Sequence, residues 1–396
     1  MNAYAQPTSP EDLLTRGPID PVRDPYRIYR RMRESAPVGR FGDYYYISTF
    51  ELAAEALLDD ATFSSKSNSP EYPGMGMVFG RTIVGMNGKE HLKHRNLITP
   101  ALRPRALGED FRAMARATAD RLIDKFCDAG RANLVPDFTF VYPLTVFVQI
   151  LGLPEKDVDD FHQWAIDLTH VAADPERGLR GSECLRNYLG PVVADKRAQP
   201  AGDLICKLIE AEVMGERMTD EEIISFLRLL VSAGADTTYH LLGNALFALL
   251  SDPELMSAVR TDRALIEPLL WESLRWESPV QLVSRATNKE VEIGGVTVPD
   301  DTGVMVLLGS ANHDEAVFKN PEVFDINRDN ERSLAFGYGR HYCAGKDFAF
   351  AEATIALDAL FDRLDDLRFD TEVEEESYIR GVAFRGPSHL KVVFSA

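Results

Sequence analysis

The chain has few cysteines, and their spacing excludes several classes of protein. Only four of its 396 residues are cysteines, namely Cys127, Cys184, Cys206 and Cys343, and no two of them form a CxxC pair. Four cysteines are too few for a disulfide-stabilised scaffold, and their spacing fits no zinc-finger type of metal site. We therefore expect a protein of a reducing, cytoplasmic compartment.

The sequence also lacks a basic tract and a long hydrophobic run near its start. Its 43 Lys and Arg residues are outnumbered by 62 Asp and Glu residues, which gives a net charge of −19. A chain with this charge repels nucleic acid and anionic lipid, so neither is an expected partner. The polar first residues, with Pro7 and Pro10, have no signal-peptide core or membrane span. We expect a soluble protein without a membrane anchor.

Long stretches of helical periodicity dominate what is present. The apolar pattern is mostly helical from His91 to Leu250, and Thr219-Asp220-Glu221-Glu222 is a capping box that opens a long helix. Further helices are predicted at Tyr26–Glu34, Glu51–Leu58 and Ala264–Trp276, each with the same period.

Strand-like segments are short and few. Val-rich pieces lie between Val291 and Leu308 and at Lys391–Phe394, and a hairpin is predicted at Val38–Thr49. The stretch Ser64–Gly88 has no clear period, which predicts a long loop that is either functional or mobile. We expect a mainly α fold with minor β, in a single domain over residues 1–396 whose first 20 residues are irregular.

One of the cysteines lies in the most informative segment. Phe336-Gly337-Tyr338-Gly339-Arg340-His341-Tyr342-Cys343-Ala344-Gly345 places Cys343 in a glycine-rich loop ahead of a helical run. Backbone N–H groups and the positive end of that helix would lower the pKa of the thiol and favour a thiolate ligand. A single thiolate on haem iron favours O–O cleavage. If Cys343 is only structural, the chain could instead be a haem-free helical binding protein.

Small residues interrupt the long helix at Ala233-Gly234-Ala235-Asp236-Thr237-Thr238. They would let a flat cofactor or a diatomic gas approach the backbone, and Asp236 with Thr237 could transfer protons there. The Thr hydroxyl can also bond the carbonyl four residues earlier and bend the helix. The alternative interpretation is a crossing of two helices beside a solvated Asp.

Charged residues elsewhere could serve such a site. Glu272 and Arg275 share one helix face, and if they are buried they need a further partner, for which Arg328 is the candidate. Arg pairs with carboxylates such as haem propionates through two parallel bonds. Four isolated cations could bind propionates in this way: His91, Arg95, Arg285 and His341. Such residues are usually satisfied by other partners or exposed on the surface.

A basic group of residues stands out against the acidic composition. It is either an ordinary solvated face or a docking patch for an acidic electron donor. Its members are Arg103, Arg105, Arg112, Arg340 and Lys346.

Together these segments resemble the cytochrome P-450 family, from about residue 20 to the C-terminus. The Cys343 segment matches the FGxGxHxCxG loop of the family at every fixed position. Three further motifs precede Cys343 in the order expected of the family. They are the HxxxR segment at His91, the acid–alcohol pair at Asp236 and the ExxR motif at Glu272. Size, acidity and the missing anchor look like the soluble bacterial branch. The resemblance implies the P-450 fold with a single haem-binding domain.

The resemblance also implies a role for each candidate residue. Cys343 would be the axial thiolate ligand of haem b (iron protoporphyrin IX), in a loop shaped by Phe336, Gly337 and Gly345. Asp236 and Thr237 would deliver protons. The haem propionates would be bound by His91, Arg95, Arg285 and His341. The structural triad behind the haem would be Glu272, Arg275 and Arg328.

The implied activity is that of a haem-thiolate monooxygenase. It would insert one oxygen atom of dioxygen into a small, largely hydrophobic substrate, with electrons from NAD(P)H through a separate reductase and ferredoxin. The chain has neither a GxGxxG at a strand–helix junction nor ferredoxin cysteine spacing. The alternatives are a peroxygenase, which would need no Asp236–Thr237 pair because peroxide brings its own protons, and a haem-based gas sensor without turnover.

The substrate side of the pocket is specified only by apolar character. Its expected walls, for which plain core packing is an equally good interpretation, are Met77, Val78, Val84, Leu229, Ala233, Val280, Val283, Val382 and Phe384.

Overall fold

The computed structural model describes residues 20–103, 109–373 and 376–395. Its helices are α1 Tyr26–Ser35, α2 Phe50–Leu58, α3 Met75–Phe79, α4 Gly88–Ile98, α5 Glu109–Ile123, α6 Val141–Ile150, α7 Val158–Thr169, α8 Pro175–Ala198, α9 Leu204–Glu210, α10 Asp220–Ser251, α11 Pro253–Thr261, α12 Ile266–Trp276, α13 Leu308–Ala311 and α14 Lys346–Arg363. Its strands are β1 Val38–Phe41, β2 Tyr44–Ile47, β3 Phe63–Ser64, β4 Arg131–Asn133, β5 Glu212–Val213, β6 Glu216–Arg217, β7 Val283–Thr287, β8 Val291–Ile293, β9 Val296–Val298, β10 Gly303–Val306, β11 Asp365–Phe369, β12 Ile379–Arg380, β13 Gly386–Pro387 and β14 Lys391–Ser395.

The described residues fall into two compact units. The first unit takes its residues from the ranges up to 64, 271–342 and 379–386. Its main element is a five-stranded sheet in the order β1-β2-β10-β7-β3, in which β10 runs parallel to β2 and antiparallel to β7. The alternating strand residues Val304 and Val306 are fully buried and pack with Ile47 and Phe50 into the core of this unit.

The second unit takes its residues from the ranges 65–270, 343–378 and from 387 onward. Its longest element is α10, which has 32 residues and begins with the capping box of Thr219 and Glu222. Side chains are buried on most of the circumference of α10, as expected for a helix inside a large core. A three-stranded antiparallel sheet, β11-β14-β4, completes the unit.

The structure confirms the mainly helical character, the predicted capping box and the Val38–Thr49 hairpin. It corrects the expectation of an unstructured Ser64–Gly88 loop, because this stretch contains α3 and a turn of 3₁₀-helix at Ser65–Asn68. It also adds β4 and the β5–β6 hairpin inside the region from 91 to 250, which was expected to be mostly helical. These strands have only two or three residues, too few for a periodic pattern to reveal.

None of the helices in the described ranges combines the length and the apolar character that a membrane crossing requires. The predicted irregular lead lies outside the described residues, apart from residue 20.

Candidate active site

The loop before Cys343 is shaped by tight glycine turns in the first unit. A 3₁₀ turn at Gly339–His341 follows Gly337, and the N–H of Gly337 donates to the carbonyl of Leu334 at 2.8 Å. Gly339 has a φ of +70°, and a Cβ there would lie 3.0 Å from the carbonyl oxygen of Leu57. Only glycine fits both the left-handed backbone and this close approach. Phe336 packs edge-on against Trp271, which fixes the start of the loop.

Cys343 itself lies in the second unit, immediately before α14. Burial raises the pKa of the Cys343 thiol, while backbone N–H groups of Gly345 and Lys346 and the charge of Arg95 lower it. The sequence predicted a lowered pKa, and that prediction is wrong for the protein alone because burial outweighs the helix end and the N–H donors. A bound metal cation is the additional charge that would deprotonate a thiol in this setting.

Helix α4 brings a cation close to Cys343. Burial lowers the pKa of Arg95, and the only charge that raises it again is that of Cys343. No carboxylate in the described ranges forms an ion pair with Arg95. His91 lies one turn earlier on the same helix and is buried. Helical spacing therefore places both predicted propionate ligands along one side of α4.

The first unit holds the other two predicted propionate ligands. Arg285 on β7 is 6% exposed, and burial lowers its pKa to about 10, with Asp60 acting in the opposite direction. Its Nη1 donates to the carbonyl of Ser284 at 2.8 Å. A buried guanidinium whose charge is offset so little by nearby carboxylates is suited to bind an anionic group of a ligand. His341 is partly buried in the 3₁₀ turn of the cysteine loop.

Asp236 and Thr237 lie midway along α10, where the sequence predicted a proton-transfer pair. Burial raises the pKa of the Asp236 carboxyl to about 7. The Thr237 hydroxyl donates to the carbonyl of Ala233 at 2.7 Å, which is the predicted bond to the residue four positions earlier. Since that bond uses its proton, the Thr237 oxygen presents lone pairs. The pair can therefore hold a proton on Asp236 and accept a hydrogen bond at Thr237.

Glu272, Arg275 and Arg328 meet in the first unit as predicted. Glu272 and Arg275 are fully buried, and their side chains form two parallel bonds of 2.8 and 2.7 Å. Arg328 Nε reaches Glu272 Oε1 at 3.3 Å. Arg275 also donates to the carbonyls of Asn312 and Pro321. Glu272 and Arg275 are thus buried, as the prediction of a further partner required, and they belong to a hydrogen-bonded network that satisfies their charges.

Predicted pocket residues are distributed over both units and differ in exposure. In the second unit Val78 is fully buried and Leu229 nearly so, whereas Ala233 and Met77 are exposed and Val84 is intermediate. In the first unit Val382 is exposed and Val280, Val283 and Phe384 are partly buried. The exposure of Ala233, on a helix whose other residues are mostly buried, marks a part of α10 that a ligand can cover.

Comparison with known proteins identifies the family. The sequence model described as Cytochrome P450 matches residues 183–384. Cytochrome P450 107B1 of Saccharopolyspora erythraea is 32% identical over 391 residues, which cover 94% of this chain and 95% of the relative. Cyclomarin C epoxidase CymV of Salinispora arenicola is 33% identical over 389 residues, 95% of this chain and 97% of the relative. The chain belongs to the cytochrome P450 family.

A solved structure agrees with this assignment. Cytochrome P450 CYP109Q5 from Chondromyces apiculatus superposes with a TM-score of 0.86 at 32% identity, covering 95% of this chain and 96% of the other. The fold is therefore the P450 fold, and the protein is a P450 monooxygenase of the bacterial type, an oxidoreductase that uses haem b.

The donor set of this P450 fits haem. A single thiol with two N–H donors and a nearby cation suits one axial thiolate ligand, in contrast to the ligand clusters of zinc or iron–sulfur sites. Within the second unit, Arg95 offers a cation that suits a propionate, and Ala233 is an exposed small residue on α10.

Some polar residues around the triad of this P450 were not predicted. Asn330 Nδ2 donates to Glu272 Oε2 at 3.1 Å, and the N–H of Asp325 donates to Oε1 at 3.0 Å. A second buried ion pair, Glu277 with Arg385, accepts a bond from the hydroxyl of Tyr26. The partners lie far apart in sequence, and only the spacing of Glu272 and Arg275 carries a local signal.

The predicted basic group is only partly described. Arg105 lies outside the described residues, while Arg103 and Arg112 are exposed in the second unit. Lys346 lies 3.3 Å from Asp347, and in the first unit Arg340 is exposed and 3.6 Å from Asp60.

Proposed function

We propose that this P450 inserts one oxygen atom of dioxygen into a small, largely hydrophobic substrate. Its two electrons would come from NAD(P)H through a separate reductase and a ferredoxin. The observation that carries the proposal is the Asp236–Thr237 pair, a carboxyl with a pKa of about 7 beside a hydroxyl oriented by Ala233. A proton donor with a pKa near the working pH is what oxygen activation by added electrons requires.

Each candidate residue receives a role in this proposal. Haem, when bound, supplies the centre that activates dioxygen. Cys343 would be its axial ligand, with Phe336, Gly337 and Gly345 shaping the ligand loop. The propionates would be held by His91, Arg95, Arg285 and His341. Glu272, Arg275 and Arg328 would form the structural triad behind the haem. They would hold in place the irregular meander, residues 312–332, that precedes the cysteine loop.

Residues of the chain would also exclude water and orient the substrate. The mostly apolar set Met77, Val78, Val84, Leu229, Ala233, Val280, Val283, Val382 and Phe384 would form or support the pocket wall. Such a wall orients a substrate and leaves the chemistry to the cofactor. The relative named as an epoxidase favours inclusion of double bonds among the reactive groups.

The cysteines and the charge of the chain support a proposed location and a proposed redox partner. The described residues contain four free cysteines and no disulfide, which supports a cytoplasmic location. Exposed Arg103 and Arg112 on a chain of charge −19 support docking of an acidic ferredoxin. We further propose that residues 1–396 work as one haem domain.

The first test is a visible spectrum of the purified protein, reduced with dithionite and exposed to carbon monoxide. We expect the strongly red-shifted Soret band of thiolate-ligated haem, and its loss in Cys343→Ala. Cys206→Ala, which removes a buried thiol elsewhere, is the control and should keep the band. A well-folded protein that takes up no haem would contradict the proposal.

The second test separates the monooxygenase from a peroxygenase and from a gas sensor. Thr237→Ala should keep NAD(P)H consumption with added ferredoxin and reductase, but should release peroxide in place of product, because proton delivery loses its acceptor oxygen. The exposed Thr261→Ala serves as control. Unchanged coupling in Thr237→Ala would favour direct use of peroxide, and absence of donor-dependent dioxygen consumption would favour a sensor.

A further inference from the structure

A buried arginine in the second unit connects three helices through hydrogen bonds. Arg228 on α10 is 6% exposed. Its Nη1 donates to Ser182 Oγ on α8 at 2.8 Å, and its Nη2 donates to Ser225 Oγ at 2.9 Å. Ser182 Oγ in turn donates to the carbonyl of Val78 at 2.6 Å. A continuous chain of bonds therefore runs from α10 through α8 to α3.

The end of α3 is shaped around the same guanidinium group. Gly80 follows α3 directly with a φ of +79°, and a Cβ there would lie 2.8 Å from both Arg228 Nη2 and Ser225 Oγ. The backbone turn thus needs glycine for its left-handed conformation and for the space that Arg228 occupies. Arg228 consequently holds the carbonyl of Val78 through Ser182, and it occupies the space beside the chain where α3 ends at Gly80.

Burying the charge of Arg228 costs free energy, so stability of the fold alone does not explain this arrangement. Among the described residues, the carboxylate that forms an ion pair with Arg228 is that of Glu221, at 3.6 Å. Glu221 is exposed and bonds more closely to Arg186, at 2.7 Å. Burial lowers the pKa of Arg228, which reflects the cost of holding its charge there. An apolar side chain of similar size often stabilises such a position better. What the arginine fork adds is a fixed geometry for its partners.

The partner whose position is fixed is a proposed wall of the substrate pocket. Met77 and Val78 lie on α3, and Leu229 is the neighbour of Arg228 on α10. We propose that Arg228 is a positioning residue that sets the substrate affinity and selectivity of the pocket by locking α3 to α8 and α10. This inference rests on the proposed function, through the assignment of α3 to the pocket wall.

The test uses Arg228→Met and Ser182→Ala, singly and together, in the haem-loaded protein. The first readout is hydrogen exchange at the amides of Met77 and Gly80, whose bonds to Gly74 and Gly76 hold α3. Each variant should exchange about tenfold faster there, which is the loss of one well-formed bond. The double variant should add little to Arg228→Met, because both changes break the same chain of bonds.

The second readout separates positioning of the wall from general loss of stability. 4-Phenylimidazole binds the haem through its imidazole and touches the pocket with its phenyl ring, whereas imidazole alone does not. In Arg228→Met the dissociation constant of 4-phenylimidazole should rise about tenfold, while that of imidazole changes less than about twofold. Arg228→Lys, which keeps the charge without the fork, should fall between Arg228→Met and the wild type.

Arg186→Met is the matched control, since it removes the exposed arginine that shares Glu221. It should leave both readouts unchanged. The inference is overturned if exchange at α3 is unaffected in Ser182→Ala and Arg228→Met, or if both imidazoles weaken equally. Absence of the thiolate–carbon monoxide band in the wild type would overturn the proposed function instead, and the exchange readout would still decide the role of Arg228.

Discussion

The triad region of the first unit and the Cys343 region of the second unit differ in how far their charged groups are paired. Around Glu272 every charged group has partners within the chain: two arginines, an asparagine and a backbone N–H share its carboxylate. Around Cys343, the cation Arg95 forms no ion pair with a carboxylate of the described residues. Midway along α10, desolvation raises the pKa of the Asp236 carboxyl, and no cation of the described residues offsets that rise.

The difference indicates which region is complete and which is built for a ligand. A buried charge without a partner costs free energy, so a chain keeps one where a bound group supplies the missing charge or where the shifted pKa is used. The triad has its charges satisfied within the first unit, whereas in the second unit Cys343 and Arg95 suit a group with a metal ion and a carboxylate.

The largest effect is expected from breaking the complete region. Glu272→Gln would leave Arg275 charged and fully buried without its carboxylate, and should lower the free energy of unfolding by about 3–5 kcal/mol. Denaturant unfolding of the purified variant measures this directly. The refolded fraction should also bind haem poorly if the triad holds the ligand loop in place.

Glu315→Gln is the matched control in the same unit. Glu315 pairs with Arg30 and Arg33, but its carboxylate is 46% exposed, so its loss should cost less than about 1 kcal/mol. Equal stabilities for Glu272→Gln and Glu315→Gln would show that the backbone carbonyls around Arg275 are sufficient partners. The triad would then contribute less to stability than its burial indicates.

The contacts that could be predicted from the sequence are those between residues a fixed number of positions apart. The Glu272–Arg275 pair and the bond from Thr237 to Ala233 follow from helix geometry, and both are present. Arg328 was named as a candidate because a buried pair needs a further partner, but no spacing rule pointed to it, and Asn330 was missed. Both come from an irregular meander, in which no period relates position in sequence to position in space.

The pKa of Cys343 shows the same limit for electrostatics. Helix ends and N–H donors are local and could be predicted, but burial depends on the packing of the whole unit. Likewise Arg228 gave no sequence signal, because its partners lie on α8 and α3. The sequence predicted helices, motifs and the family resemblance, whereas tertiary contacts decided which charges are satisfied.

An intermediate effect is expected at Asp236. With a pKa of about 7, its carboxyl is protonated below neutral pH and loses its proton above it. Turnover that depends on this proton should therefore fall as pH rises through 7. Asp236→Asn should remove that inflection and lower product formation about a hundredfold, the usual contribution of a positioned acid.

The raised pKa of Asp236 also has a consequence for stability. The folded protein holds a proton that the unfolded chain releases near its ordinary pKa of 3.8, so stability is lost as pH rises from about 4 to 7. Asp236→Asn should not lose stability in this way. Its free energy of unfolding, measured at several pH values, should therefore rise relative to that of the wild type as pH increases. Glu267→Gln, an exposed carboxylate, should not. Parallel curves for all three proteins would disprove the unusual protonation of Asp236.

The smallest effect distinguishes a cation that serves a ligand from one that serves the fold. Arg95 has no carboxylate partner in the described chain, so Arg95→Met should not lower the free energy of unfolding of the haem-free protein. Haem should nevertheless leave about tenfold faster, as expected for the loss of one charge-assisted bond to a propionate, when transfer to an acceptor such as apomyoglobin is followed. Lys89→Met, which removes an exposed cation from the same helix, should change neither quantity. If Arg95→Met destabilised the haem-free protein and left haem loss unchanged, Arg95 would belong with the triad as part of the fold, and the contrast between the two regions would fail at its clearest point.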